Sequence, residues 1–283
     1  MIGEHASPQG TGALRWVKLA HGTRLDRFPD FMVVGPQRTG TSWLYTNLRF
    51  HPEIQFSRPK EIFYFSSLKN RHAKRFVTDD LGWYLQFFRD PPWLWAAKTA
   101  ACLAMYGRRY RPLIRGESTA SYASLDADVI DDIVRLNPDL KVIMMLRNPV
   151  DRAWSDAKYH FEQRLPTIRD VPFSELREFY TNPYQLSCGR YSRNVANWSA
   201  RLRPGHFFAG RFDDIAMHPE RMLRDVMRFL GVSEGQRYVN RTVRSAVNAT
   251  STQRIEPDSR AFLETLFRDE LVWLDERMGY RWT

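Results

Sequence analysis

One stretch constrains this chain more than any other: FMVVGPQRTGTSWL, residues 31–44. The apolar run FMVVG, closed by Gly35, reads as a buried strand, and TSWLYTNLRF (41–50), with Leu44 and Leu48 on one face, reads as a helix. Between them lies a loop bounded by Gly35 and Gly40. A strand feeding a helix through such a loop aims successive backbone N–H groups and the positive helix end at one point, an arrangement that suits a phosphate or a sulfate. The spacing is the GxxxxG of a phosphate loop, yet Thr41 and Ser42 follow where a nucleoside triphosphatase carries Lys and then Ser or Thr. Such an enzyme also needs an acid at the end of a neighbouring strand to hold Mg²⁺. Here the clearest strand, KVIMML (141–146), ends in Arg147. The residues point to a site that holds anions with Arg, hydroxyls and N–H groups and without a metal. A Gly-rich turn with no ligand is the competing reading of the loop alone.

Around this loop the chain alternates short apolar strands with longer amphipathic runs, the pattern of an α/β domain built on a parallel sheet. PLIRGES (112–118) and HFFAGRF (206–212) read as further strands. Helices are expected over 126–138, 148–163, 190–202 and 219–232. The second has Asn148 as N-cap with Pro149 behind it, and the last is closed by Gly231. The aromatic, Arg-rich stretch from about residue 70 to 111 is expected to pack as helices over one edge. With no repeat or linker-like segment, the expectation is a single domain over 1–283. Its core starts at about residue 30, residues 1–29 form an N-terminal extension, and the C-terminal lobe is loop-rich.

Composition matters mainly for what it excludes. Aromatic residues make up 14% of the 283, too many for an unfolded chain. No run reaches the roughly 18 uncharged apolar residues of a membrane span. The nearest, 93–106, is short and carries Lys98. The first residues lack a basic start followed by an apolar stretch, so a soluble cytoplasmic protein is expected. Two cysteines, Cys102 and Cys188, are too few for a disulfide framework or a four-thiolate metal site. A net charge of +10 favours an anionic partner. Thirty-five of the 42 basic residues are Arg, however, and they are dispersed, with RRYR (108–111) the densest cluster; nucleic acid is not the expected partner.

The loop PQRTGTSWL resembles the 5′-phosphosulfate loop of sulfotransferases that use 3′-phosphoadenosine 5′-phosphosulfate (PAPS), most closely in pattern the bacterial and heparan-sulfate-type members. The resemblance implies a P-loop-NTPase-like three-layer α/β domain, a central parallel sheet flanked by helices, with PAPS as co-substrate and no metal. It implies that Arg38, where many members have Lys, contacts the 5′-phosphate and the bridging oxygen as charge builds on the leaving group. Thr39, Gly40, Thr41 and Ser42 would supply N–H and hydroxyl donors, and Trp43 would stack on adenine. Arg for Lys is a departure, because Arg is a fork and Lys a point charge. KVIMMLRNPVDRAWSDAKYH (141–160) independently resembles the family's 3′-phosphate segment, with Arg147 as a bidentate clamp and Ser155 as a hydroxyl donor. CGRYSRNVANW is similar to a segment that puts Gly189 and Tyr191 near the nucleotide. Cys188 stands where the cytosolic branch usually has Tyr. VNATSTQRIEP falls where the last 3′-phosphate loop is expected, offering Asn248, Thr250 and Ser251 between Arg244 and Arg254. The closing LDERMGYRW is similar to the end of heparan-sulfate-type members.

Sulfuryl transfer needs a group to take the acceptor's proton. Cytosolic members use a His near the strand that here reads LIRGES, where none occurs. Heparan-type and many bacterial members use Glu in a Lys-Glu segment after the first helix. SRPKEIFYF matches it, which implies Glu61 as base and Lys60 as a stabiliser of charge on the sulfuryl or acceptor oxygen. A solvated ion pair is the alternative reading of those two residues. GESTASY (116–122) is similar to the heparan-type acceptor stretch, with Ser118 in place of its Lys and Glu117 as the reserve base. The expected partner is a small-molecule or carbohydrate acceptor. A P-loop small-molecule kinase and a basic polyanion-binding module are the competing functions.

Overall fold

The computed structural model describes residues 13–239, 241–245, 247, 251 and 253–282. One parallel sheet runs through it, built from β1 (Phe31–Gly35), β2 (Ile54–Phe56), β3 (Ile114–Ser118), β4 (Lys141–Leu146) and β5 (Phe207–Arg211) in the order β2-β3-β1-β4-β5. In chain order the α-helices among the described residues are α1 (Thr41–Leu48), α2 (Tyr64–Ser67), α3 (Leu81–Leu85), α4 (Pro92–Tyr106), α5 (Ala127–Leu136), α6 (Pro149–Phe161) and α7 (Phe173–Thr181). They continue with α8 (Pro183–Gly189), α9 (Tyr191–Ser199), α10 (Asp213–Met217), α11 (Pro219–Leu230), α12 (Pro257–Leu266) and α13 (Arg268–Met278).

β1 is apolar at every position because both faces of the sheet are covered. The two-residue period sends Met32 and Val34 toward α5 and α9, where Ile130, Ile133 and Trp198 lie. Phe31 and Val33 go the other way, toward Leu44 and Leu48 of α1 and Leu223 and Met227 of α11. β4 divides alike, with Met144 and Leu146 on the first face and Ile143 and Met145 on the second. Each such side chain contributes roughly 1.5–3 kcal/mol on burial. These two layers around the sheet are the expected α/β architecture. A third cluster, with Trp154, Phe161, Leu176, Tyr180 and Leu263, joins α6, α7 and α12.

Local signals hold at the expected ends. The Asn148 side chain accepts from the Val150 N–H at 2.9 Å, capping α6. Gly231, at φ +79°, closes α11 by donating to the Met227 carbonyl. Residues 81–106 pack as helices at the β2 edge, where Gln55 Nε2 donates to the Phe88 carbonyl (3.0 Å) and the Arg58 N–H to the Phe87 carbonyl (3.1 Å).

One element was unforeseen and one expectation gives way. β2 was not legible: three residues with Gln55 in the middle are too short to alternate, and pairing with β3 alone makes them a strand. The C-terminal part is helical over 257–278, because Leu263 and Phe267 pack on α6 and Leu274 in the first core. Within the extension, the backbone N–H groups of Arg15, Trp16 and Val17 all donate to the Asp132 carboxylate on α5.

Candidate active site

The loop after β1 bends where no side chain fits. Gly35 has φ +103°, and a Cβ there would lie 2.2 Å from the Ala120 carbonyl oxygen. Gly40, at φ +96°, is the N-cap of the eight-residue α1. The N–H end of α1 therefore opens at the carboxyl edge of β1, beside the points where β3 and β4 end, the usual ligand position of an open parallel sheet.

A cleft of about 700 Å³ lies there. Arg38, Gly40, Thr41, Ser42 and Trp43 line it from the loop and α1, and Arg147, Ser155 and Lys158 line it from β4 and α6. Phe212 and Ile215 close one wall; Arg244, Ser245 and Ser251 close another. Among the described residues, four cationic side chains line this cleft and no carboxylate does, Arg244 being paired with Glu220. Burial pushes the Arg38 and Arg147 guanidiniums and the Lys158 ammonium below their ordinary pKa values. Cations stripped of water in this way make a strong site for an anion.

The two phosphate segments, 109 residues apart, are tied together. Arg147 Nη1 donates to the Arg38 carbonyl at 3.0 Å, and its guanidinium lies 4.4 Å from the centre of the Phe212 ring. Arg38 Nε donates to Ser155 Oγ at 3.1 Å, and Arg38 lies over the Tyr159 ring. Arg38 thus reaches across to α6, the side expected to hold the 3′-phosphate. It does so from a left-handed backbone, φ +66°, uncommon for a residue with a Cβ.

Two expected ligand residues are placed elsewhere. Thr39 is buried, its hydroxyl donating to the Pro36 carbonyl at 2.7 Å, so it shapes the loop from inside. Tyr191 is fully buried in the first core, where the apolar period of α9 carries it. Trp43 lines the cleft but is only 3% exposed, and Nε1 donates to the Val243 carbonyl; it is a wall and not an open stacking surface. Cys188 is buried against the loop, with Sγ at 3.3 Å from Gln37 Oε1. Asn248 and Thr250 lie outside the described residues. Ser251 is exposed, and its carbonyl accepts from Lys158 Nζ at 2.5 Å. Sequence reasoning missed Lys158, although it follows Ser155 by three positions on a helix and so shares its face. Phe212 carried no signal, since its place depends on β5 pairing with β4.

Lys60 and Glu61 do not line this cleft; they stand on the other side of the phosphate loop. Lys60 Nζ donates to Glu61 Oε1 at 2.6 Å, and the Ala120 N–H donates to Oε2 at 3.1 Å. Ala120 is the residue whose carbonyl abuts Gly35, so Glu61 is held to the backbone that packs on the first residue of the loop. Glu61 also has positive φ, +67°, and its N–H donates to the Ser118 carbonyl. Non-Gly residues held there cost about 1–3 kcal/mol each and concentrate at functional sites. The side chains of Lys60 and Glu61 keep 21% and 23% of their exposure, enough to meet a ligand.

Glu117, the reserve base, is walled in. It is fully buried, with the Tyr84 hydroxyl donating to Oε2 and the Thr119 hydroxyl to Oε1 at 2.7 Å. Burial pushes its carboxyl up to about 7, the donors from Tyr84 and Thr119 pulling the other way and the charge of Glu61 adding to the rise. Thr119 Oγ1 in turn accepts from the Ile62 N–H at 3.1 Å, so Glu117 supports the Glu61 segment from below and touches no cleft.

Residues 29–235 match the sulfotransferase family. The bifunctional heparan sulfate N-deacetylase/N-sulfotransferase 3 of Mus musculus is 26% identical over 289 residues, which cover 90% of this chain and 30% of that protein. This chain therefore spans less than a third of that relative. A crystal structure of a sulfotransferase from Alicyclobacillus acidocaldarius superposes with a TM-score of 0.59 at 27% identity, over 90% of this chain and 97% of that one. The mouse sulfotransferase SULT7A1, crystallised with PAP, shares the fold, with a TM-score of 0.51 at 15% identity over 88% of this chain and 86% of that one. The sheet and its first loop are of the P-loop-NTPase-like kind.

Proposed function

The chain belongs to the sulfotransferase family, and from that premise we propose that it moves a sulfuryl group from PAPS to a hydroxyl or amine of a carbohydrate or small-molecule acceptor. The observation that carries the donor is the cleft with four cations and no acid. A nucleotide with a 5′-phosphosulfate and a 3′-phosphate supplies the negative charge such a lining demands. In this reading the loop N–H groups with Thr41 and Ser42 hold the 5′-phosphosulfate, and Arg147 with Ser155 and Lys158 holds the 3′-phosphate. Arg38 sits between them and serves both ends.

Chemistry then lies on the far side of the loop. Glu61 takes the proton of the acceptor as the bond from its oxygen or nitrogen to sulfur forms. The bond from sulfur to the bridging oxygen breaks, and 3′-phosphoadenosine 5′-phosphate (PAP) leaves with the electron pair. Lys60 balances charge on the transferring group. Positioning and fixed donors do most of the work. The likeness to heparan sulfate N-sulfotransferases supports a carbohydrate amine or hydroxyl as acceptor; Ser118, expected in the acceptor stretch, is fully buried on β3 and faces no acceptor.

Calorimetric titration with PAP, beside AMP and ATP with Mg²⁺, tests the donor in the wild type and in Arg147→Ala. The expected result is tight PAP binding that needs both the 3′-phosphate and Arg147. Equal or better ATP binding, strengthened by Mg²⁺, would overturn it in favour of a kinase.

A further inference from the structure

α4 is turned inside out relative to an ordinary surface helix. Its 15 residues contain one charge, Lys98, and that charge faces inward. Lys98 Nζ lies 2.8 Å from Asp90 Oδ2 and 3.2 Å from the Tyr110 hydroxyl, with only 13% of its side chain exposed. Cys102 and Tyr106, one and two turns on, are the buried residues of the helix. The outer stripe, Trp93, Ala96, Ala97, Ala100, Leu103 and Ala104, follows helical spacing and is apolar and exposed throughout. Trp93 keeps 65% and Leu103 46% of their exposure. Contiguous exposed apolar area of this kind marks an interaction site.

The rim supplies the sign of the partner. Residues 91–116 contain no Asp or Glu. Arg58, Arg89, Arg108, Arg109 and Arg111 are exposed and form no salt bridge among the described residues. Some surface arginines elsewhere are paired with acids, as Arg193 with Asp126 and Arg244 with Glu220, and others such as Arg164 and Arg177 are not; what sets this rim apart is the acid-free run over 91–116. Of the two acids that bound this run, Asp90 is paired with Lys98 and Glu117 is fully buried. A tryptophan-bearing apolar stripe edged with uncompensated arginines has the make-up of a helix that lies in a bilayer interface. No helix of the described residues is long and apolar enough to cross a membrane, so any contact by this face is peripheral.

We propose that the outer face of α4, with the Arg108–Arg111 turn, docks the protein onto the surface of an anionic lipid bilayer. Trp93 and Leu103 enter the headgroup boundary, and the arginines meet lipid phosphates. The face begins beside the acceptor side of the site: the Arg58 guanidinium lies 5.6 Å from the Trp93 ring centre, two residues before Lys60. Docking therefore brings Lys60 and Glu61 close to the membrane surface.

Co-sedimentation of the full chain with vesicles tests this without reference to catalysis. The expected result is binding to phosphatidylcholine vesicles containing phosphatidylglycerol and little to phosphatidylcholine alone. The double variant Arg108→Gln/Arg109→Gln is expected to lower partitioning about thirtyfold, and Trp93→Ser/Leu103→Ser roughly tenfold. Arg221→Gln/Arg228→Gln on α11, equally exposed but paired with acids, is expected to change nothing. All variants should keep wild-type circular dichroism and PAP affinity, which separates loss of docking from loss of fold. Equal binding to neutral vesicles, or binding untouched by both α4 variants, would overturn the proposal. So would concentration-dependent self-association that Trp93→Ser/Leu103→Ser abolishes in the absence of any vesicle binding, since the face would then be a contact between copies.

Discussion

The two sides of the phosphate loop handle charge in opposite ways. On the β4 and α6 side, Arg38, Arg147, Lys158 and Arg244 line one cleft with no acid. On the β2 and β3 side, two carboxylates feel each other's charge: Glu61, partly exposed and paired with Lys60, and Glu117, buried among hydroxyl groups. Arg244 on the cationic side is paired with Glu220, which does not line the cleft, and the lining itself carries no acid among the described residues. The carboxylate side has already satisfied its own charge, and what distinguishes its two acids is burial. An acid with access to a ligand can take a proton from it; an acid sealed by Tyr84 and Thr119 can only hold its neighbours in place.

The sharpest way to break that division is Glu61→Gln. Turnover is expected to fall by about 10²–10⁴-fold, with PAP affinity in calorimetry unchanged; a variant that still turns over at the wild-type rate returns the base assignment to open choice. Next comes Glu117, where the consequence is for stability. A carboxyl raised in the folded state to about 7, against an ordinary value near 4.5, binds its proton more tightly when folded. Its contribution is thus complete below the ordinary value and lost as pH rises through about 7. The loss is on the order of 3 kcal/mol. Glu117→Gln is expected to flatten this slope in denaturant titrations between those two pH values, and an unchanged slope would mean that Glu117 is not the group responsible.

On the cationic side the effects are on binding. Arg147→Ala is expected to weaken PAP by roughly 1.5–3 kcal/mol, the range for a hydrogen bond to a charged group, with AMP, which lacks the 3′-phosphate, affected less. Lys158→Met is expected to weaken PAP by about 1 kcal/mol. If Lys158→Met instead raised affinity, its ammonium would be serving only the Ser251 and Gln253 carbonyls.

Much of this was readable beforehand, for reasons local to the chain. FMVVG and KVIMML are strands because nothing else hides such runs on both faces, and Asn148-Pro149 and Gly231 carry their helix ends within a few residues. The loop from Gly35 to Gly40, and Arg147 following a strand, were legible because strand, turn and helix are short-range events. β2, α12 and α13 were not, since each is defined by what it packs against. Of the aromatic stretch 70–111, only 81–88 and 92–106 are helical, and the sequence did not tell which rings face out: Tyr84 and Phe88 are core while Trp93 and Trp95 are exposed.

Residue identity and spacing alone determined that this chain would make a parallel α/β sheet, a Gly-bounded loop between its first strand and first helix, and a second basic segment after a later strand. Only the tertiary structure decided which of those residues meet. It sent the Thr39 and Tyr191 side chains into the interior, brought Lys158 and Phe212 to the cleft, and turned Arg38 toward Ser155. It also made one glutamate accessible and sealed the other. The physical reason is the same throughout: charge and hydrogen-bonding capacity are properties of a residue, but desolvation belongs to its surroundings, and the surroundings are assembled from segments far apart in the chain.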